Sequence, residues 1–332
     1  MAVTLLLVGV VLLPWLQLSS KTTEEARSET LVLRAGHSSN PDEPYHAGLL
    51  EFARIVEERS EGRVRVEVYP SGQLGSERMM IEGLLLGTLD IVVAANGSAS
   101  SFVPELGVLD LPFLFEDREH MYRVLDGPVG ETLRGHARER GFRILGYLDA
   151  GVRHIMTRSR PLERFEDLRG LKIRTMPVPR HLEAFDAFGA QALALNYGEV
   201  YGSLQTGLID GAEAANTNFT RKNFHEVAPN WAQVGWIILV ANMMMSEAAL
   251  QAMPEDLHRI IVDAGARAAQ HERVLYRESD EALLDRIREI GVNVTYPDPA
   301  PFRRAAERLY QSQDLAPRER ALLRSIRSAA DL

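Results

Sequence analysis

Arg174 is the residue of this sequence best placed to do chemistry. It closes the run Gly170-Leu171-Lys172-Ile173-Arg174-Thr175, in which Leu171, Ile173 and Thr175 alternate with Lys172 and Arg174, just before Pro177 and Pro179. Alternation of this kind predicts a short strand and puts Arg174 on the face opposite Ile173. A guanidinium held at a strand end is a planar two-pronged donor, and a carboxylate is the partner that matches it. Charge alone does not single it out, because the chain carries 34 arginines against 3 lysines and most charged side chains simply face water. Its position at the end of a strand makes it a candidate anchor, with surface charge as the competing reading.

The sequence offers no recognisable catalytic pattern. There is no cysteine, which excludes thiolate zinc sites, thiol nucleophiles and a disulfide framework. The nine histidines form no pair at helical metal-ligand spacing, and the nearest approach is His37 with His46 across a proline-containing loop. No nucleophile elbow, phosphate loop or dinucleotide-binding glycine pattern occurs. The expectation is a binding protein, not an enzyme, with no catalytic residue, no metal and no cofactor.

The elements that must position Arg174 can be read from periodicity. A strand at Leu31 to Ala35 is followed by a loop with Asn40-Pro41 and Pro44, then a helix from about Tyr45 to Glu58 with Leu49, Phe52, Ala53 and Val56 at helical spacing. Val64, Val66 and Val68 alternate with charged residues and mark a second strand, ended by Pro70. Strand, helix, strand in that order predicts α/β architecture with a parallel sheet. A weak internal repeat follows. Leu84 to Asp90 corresponds to Leu204 to Asp210 at a constant offset of 120 residues, with Ser76 and Asn196 as matching helix N-caps. Each copy reads as a capped helix, a glycine stop at Gly87 or Gly207, and a strand opening at an aspartate. Two similar lobes would place a ligand between them, where strand ends and helix N-termini converge. From Pro254 to Gly291, apolar positions at helical spacing predict one helix of about 36 residues, about 54 Å long, enough to run along both lobes.

Several motifs in order identify a family. The run RFEDLRGLKIRT at 164 to 175 resembles a signature of the DctP-type extracytoplasmic substrate-binding proteins of TRAP (tripartite ATP-independent periplasmic) transporters. YPSGQLGSE at 69 to 77, LGTLDI at 86 to 91, VPELGVLDLPFLF at 103 to 115, GVRHIM at 151 to 156 and EVYGSLQTGLIDG at 199 to 211 extend the resemblance over roughly residues 31 to 310. The resemblance implies a two-lobed, periplasmic-binding-protein-like clamshell (type II-like) with a long hinge-spanning helix. It makes Arg174 the partner of a ligand carboxylate, Arg153 a second arginine reaching the same pocket, and Tyr197 an aromatic against the ligand. The sequence departs from the family at Ala214, where an asparagine that hydrogen-bonds the ligand is usual; Asn216 or Asn218 is expected to compensate. Trp236 is a candidate wall of the pocket, and His37 and Asn96 are candidates for its rim.

Composition bounds the partners. A net charge of −9 argues against a nucleic-acid or anionic-membrane surface, since either needs a basic face. Residues 1–20 are apolar except for a few positions and read as a signal peptide or N-terminal anchor, with 21–30 as linker; this predicts a periplasmic protein. The expected division is 31–150 with 239–278 as one lobe and 151–238 with 279–325 as the other. The expected function is capture of a small organic acid, favoured to be a hydroxylated monocarboxylate such as a sugar acid, and its delivery to the small and large TRAP membrane permease subunits. A receptor that reports to a sensor kinase, or a C4-dicarboxylate or keto-acid ligand, is the alternative.

Overall fold

The structure is a computed structural model that describes residues 30–311 and 315–329. The expected leader and nearly all of the linker therefore lie outside the described residues. Among the described residues, no helix is long and apolar enough to cross a membrane.

One sheet organises the chain. Its strands are β1 (Leu31–His37), β2 (Val64–Tyr69), β3 (Ile91–Ala95), β4 (Phe142–Thr157), β5 (Lys172–Thr175), β6 (Gln191–Ala194), β7 (Gly211–Ala214), β8 (Asn230–Ser246) and β9 (Asn293–Thr295). They lie in the order β2-β1-β3-β8-β4-β7-β5-β6, with β9 added to β8. The outer groups are parallel, β1 with β2 and β3, and β5 with β6 and β7. The two long strands β4 and β8 run antiparallel to each other through the middle, so the sheet is mixed where periodicity predicted a parallel one. The difference has a simple cause: local strand-helix-strand order reports only the neighbours within each half, not the strands that join the halves.

The join carries three register shifts, one between Ile144 and Gly146 and two close together farther along β4. Between Asp149 and Val152, β4 carries an extra residue relative to β8, and between Arg153 and Ile155 the excess lies on β8. Gly151 and Gly235 sit there at φ 84° and 61°, left-handed backbone that a Cβ would strain. Bulges of this kind bend a strand and sharpen its twist. The long helix, Glu255–Glu289, packs on the helix Pro44–Arg59, on β4 and on the short helix Asn216–Arg221. It therefore packs against a helix of each half and against the central strand β4.

The repeat has a geometric counterpart. The helix Glu77–Leu86 begins at Ser76, whose hydroxyl accepts from the Met79 amide, and ends at Gly87 with φ 70°. The second copy begins at Asn196, whose amide donates to the Glu199 carboxylate, and ends at Gly207 with φ 79°. In each copy the following aspartate accepts from a backbone amide of the first strand of its half, Asp90 from Arg34 at 2.7 Å and Asp210 from Lys172 at 2.9 Å. Both aspartates thus lock the turn into the same neighbouring strand.

Candidate functional site

Strand order brings three charged side chains together. Because β7 lies between β4 and β5, its Glu213 stands within reach of Arg153 on one side and Arg174 on the other. Arg153 Nε donates to Glu213 Oε2 at 2.7 Å, and Arg153 Nη1 donates to Asn218 Oδ1 at 2.7 Å. Arg174 donates from Nε and Nη2 to the Leu195 carbonyl at 2.9 and 2.8 Å, a fork that fixes the plane of its guanidinium, and from Nη1 to Glu213 Oε1 at a longer 3.3 Å. All three side chains are buried.

The charges are shared unequally. Burial pushes the Glu213 carboxyl up, but Arg153 and Arg174 outweigh it and hold the group below the usual carboxylate range. Burial also works against the charge of Arg153, which Glu213 more than restores, lifting it above the ordinary arginine value. For Arg174 burial wins over Glu213, and the nearby Arg153 charge adds to it, so Arg174 lies below its ordinary value. A guanidinium stays protonated in a protein. Arg174 is therefore the buried cation with positive charge still to be matched.

Both arginines face a cavity of about 410 Å³. The half of the chain containing β1 contributes Glu43, Tyr45, Glu77 and Ser98, the half containing β5 contributes Tyr197, Asn218 and Lys222, and Tyr276 of the long helix lies between them. Glu43 ties the two sides. Its Oε2 accepts from Asn218 Nδ2 at 2.7 Å and from the Tyr197 hydroxyl at 3.5 Å, and Lys222 Nζ lies 3.8 Å from Oε1. Burial lifts the Glu43 carboxyl above the ordinary range despite these donors, and burial lowers Lys222. Glu77 accepts from Ser98 Oγ at 2.7 Å and from Ser38 Oγ at 2.8 Å. Tyr45, Tyr197 and Tyr276 are pushed up by burial, which keeps their hydroxyls available as neutral hydrogen-bonding groups.

Of the residues singled out in the sequence, Arg174, Arg153, Tyr197 and Asn218 line the cavity and the other four do not. Asn216 is used by the fold: its Nδ2 donates to the Asp280 carbonyl, and its Oδ1 accepts from Trp231 Nε1 at 2.9 Å and Gln233 Nε2 at 3.0 Å. Trp236 is a core residue, packed edge-on against His181, Phe185 and Phe188. His37 is fully buried, with its Nε2 3.0 Å from His46 Nδ1. Burial, with help from His46 and Lys222, lowers its pKa to about 3, so it is neutral. Asn96 Nδ2 donates to the Leu106 carbonyl at 2.8 Å and its Oδ1 accepts from Asn242. These four expected wall and rim positions lie off the cavity lining: Asn96 and Asn216 bond within the fold, His37 has a partner for Nε2 but none for Nδ1 among the described residues, and Trp236 is walled in by aromatic rings.

Glu43, Glu77, Lys222, Tyr276 and Glu213 were not singled out. Three of them carry a signal in the sequence. Glu77 ends the YPSGQLGSE motif directly after its N-cap serine, and Lys222 is one of only 3 lysines in an arginine-rich chain. Glu213 sits inside the very segment whose missing asparagine at Ala214 drew notice.

The chain resembles known proteins over most of its length. The family model for bacterial extracellular solute-binding proteins, family 7, matches residues 35–315. An uncharacterized protein of Salmonella typhimurium is 32% identical over 323 residues, 97% of this chain and 98% of its own length. A TRAP periplasmic solute-binding protein of Sulfitobacter with bound β-D-galacturonate superposes with a TM-score of 0.86 at 29% identity, over 90% of this chain and 99% of that one. Its counterpart from Chromohalobacter salexigens with bound D-glucuronate also superposes with a TM-score of 0.86, at 31% identity and the same coverage.

Proposed function

Because this chain belongs to family 7 of the bacterial extracellular solute-binding proteins, the DctP-type binding components of TRAP transporters, we propose that it captures a sugar acid with a single carboxylate. The observation that carries the reading is Arg174, a buried guanidinium fixed in plane by the Leu195 carbonyl and incompletely matched by Glu213. A ligand carboxylate supplies the missing charge.

Charge arithmetic favours one carboxylate over two. The cavity is lined by four cations, Arg78, Arg153, Arg174 and Lys222, against Glu43 and Glu77, with Glu213 directly behind the two central arginines. Four against three leaves one positive charge. Lys222, the cation that a second carboxylate would need, already has Glu43 beside it. The remaining lining groups, Tyr197, Asn218, Ser98 and Glu77 among them, donate and accept hydrogen bonds and suit hydroxyls. The hexuronates held by the Sulfitobacter and Chromohalobacter relatives are of this class.

In this reading, ligand contacts to both halves favour a closed arrangement, and only that differential binding shifts the population. We take 31–150 with 239–278 and 151–238 with 279–325 as the two lobes. Support comes from the bulges and the left-handed Gly151 and Gly235 at the level where β4 and β8 pass between the parallel groups. The protein would work in the periplasm, pass its ligand unchanged to the membrane permease subunits, and catalyse nothing. A thermal-shift panel of sugar acids, C4 dicarboxylates, keto acids and amino acids tests the ligand. Ligand at a hundred times its Kd stabilises by about 2.7 kcal/mol. Stabilisation by succinate or malate, with none by any sugar acid, overturns the proposal.

A further inference from the structure

The C-terminal region reverses the charge of the rest of the chain. Residues 299–332 hold seven arginines against four acidic residues, in a protein whose net charge is −9. All seven arginines are exposed. The helix Pro299–Tyr310 buries Phe302 and Ala306, and the helix Pro317–Ser328 buries Leu322, Leu323 and Ile326. Helical spacing then puts Arg304 above Arg308 on one ridge and Arg320, Arg324 and Arg327 along another. Both helices are fastened around Pro112-Phe113: the Arg303 guanidinium lies 4.7 Å over the Phe113 ring, Arg327 lies 4.4 Å over the Tyr310 ring, and the Tyr310 hydroxyl donates to the Pro112 carbonyl at 2.6 Å. Arg303 and Arg327 are thereby held at that segment, while Arg318, at the start of the second helix, pairs with Glu105 and Glu139.

We propose that this arginine face lies against the anionic headgroups of a phospholipid bilayer. The charge calls for an anionic partner, and the lack of an apolar anchor selects the kind. Protein interfaces are centred on buried aromatic or aliphatic anchors. Among the described residues, no large exposed hydrophobic side chain lies in 299–329, and the aromatic rings nearby are already covered by Arg303 and Arg327. Positive charge spread over two ridges without such an anchor fits a fluid array of phosphates, each of which an arginine can grip bidentately. Basic side chains near an anionic bilayer are each attracted to it, over a range set by the Debye length, about 10 Å at 0.1 M salt. The face would hold an otherwise acidic protein at the membrane in a fixed orientation. This rests on the extracytoplasmic, permease-serving role proposed above.

Vesicle co-sedimentation of the whole chain tests it, comparing phosphatidylglycerol-containing vesicles with pure phosphatidylcholine vesicles, and wild type with R320E/R324E/R327E. The expected result is retention on anionic vesicles only, falling with added salt, and at least about tenfold weaker in the triple variant. The variant's melting temperature and its response to sugar acids should match wild type, because the three arginines lie outside the ligand cavity. Equal retention on neutral and anionic vesicles assigns the binding to the apolar N-terminal segment and overturns the proposal. So does an absence of retention on anionic vesicles, including the case where the triple variant loses binding only to a purified membrane protein. A failed sugar-acid panel with intact vesicle binding would overturn the ligand reading alone.

Discussion

Replacing Arg174 by alanine should separate ligand affinity from fold stability. In the unliganded protein the substitution removes two hydrogen bonds to the Leu195 carbonyl and a 3.3 Å contact with Glu213. It also removes a buried charge that its surroundings do not fully match, while Glu213 keeps Arg153 at 2.7 Å. Losing hydrogen bonds destabilises and losing an under-compensated buried charge stabilises, so the net change in unfolding free energy should stay within about 1 kcal/mol. The liganded state has no such offset. A carboxylate drawn into the cavity without its charged partner should cost about 2–5 kcal/mol, or roughly thirty-fold or more in affinity. Arg174→Lys should lie between, because an ammonium keeps the charge but cannot reproduce the fork on Leu195. Isothermal titration with the ligand found by the thermal panel, paired with urea denaturation of the unliganded proteins, reads both quantities. Wild-type affinity in Arg174→Ala would refute the anchor. A large loss of stability with affinity unchanged would make Arg174 a structural residue instead.

Glu43→Gln should flatten the dependence of stability on pH. The folded protein raises this carboxyl, so its contribution is fully present below the ordinary carboxylate value and is lost as pH rises through the lifted one; urea denaturation across that window should show the loss in wild type but not in the variant, and equal slopes would refute the assignment. Asn218→Ala strips an acceptor from Arg153 and a donor from Glu43, each buried, and should destabilise the unliganded protein by about 1–3 kcal/mol. An effect below about 0.5 kcal/mol, the range of ordinary surface changes, would show that the two charges re-pair without it. Small-angle scattering should show the radius of gyration shrinking when ligand is added, and an unchanged profile under saturating ligand would remove the closure mechanism.

Period and punctuation in the sequence located β1, β2, β5, the helix 44–59 and the long helix to within a few residues, because each carries its own apolar pattern and its own stop. The antiparallel pairing of β4 with β8 was invisible, since both strands are buried on both faces through the middle of the sheet and no local period tells which distant strand they meet. Arg174 and Arg153 were legible through motif order. Asn96, Asn216 and His37 lie off the cavity lining with no sign of it in the sequence, because a polar side chain at a strand end looks the same whether it lines a cavity or meets a buried carbonyl or ring nitrogen. Glu43 and Lys222 owe their position to a meeting of segments far apart in the chain, so no window around either residue carries that information.

The same distant pairing dictates an order of assembly. The sheet partner of β3 is β8, with Ile91 opposite Met245, so the strand that completes the first parallel group is made only after all of the second group has been made. A growing chain can form β1, β2 and the helix between them, yet their sheet keeps an open edge until β8 arrives. Contacts this far apart in sequence form slowly, because a long loop must close before any of them is rewarded. The amino-terminal half therefore spends synthesis in a state that has not locked. The delay leaves β3 without its outer partner until the last long strand exists, and ties completion of the first parallel group to the strand that also pairs with β4.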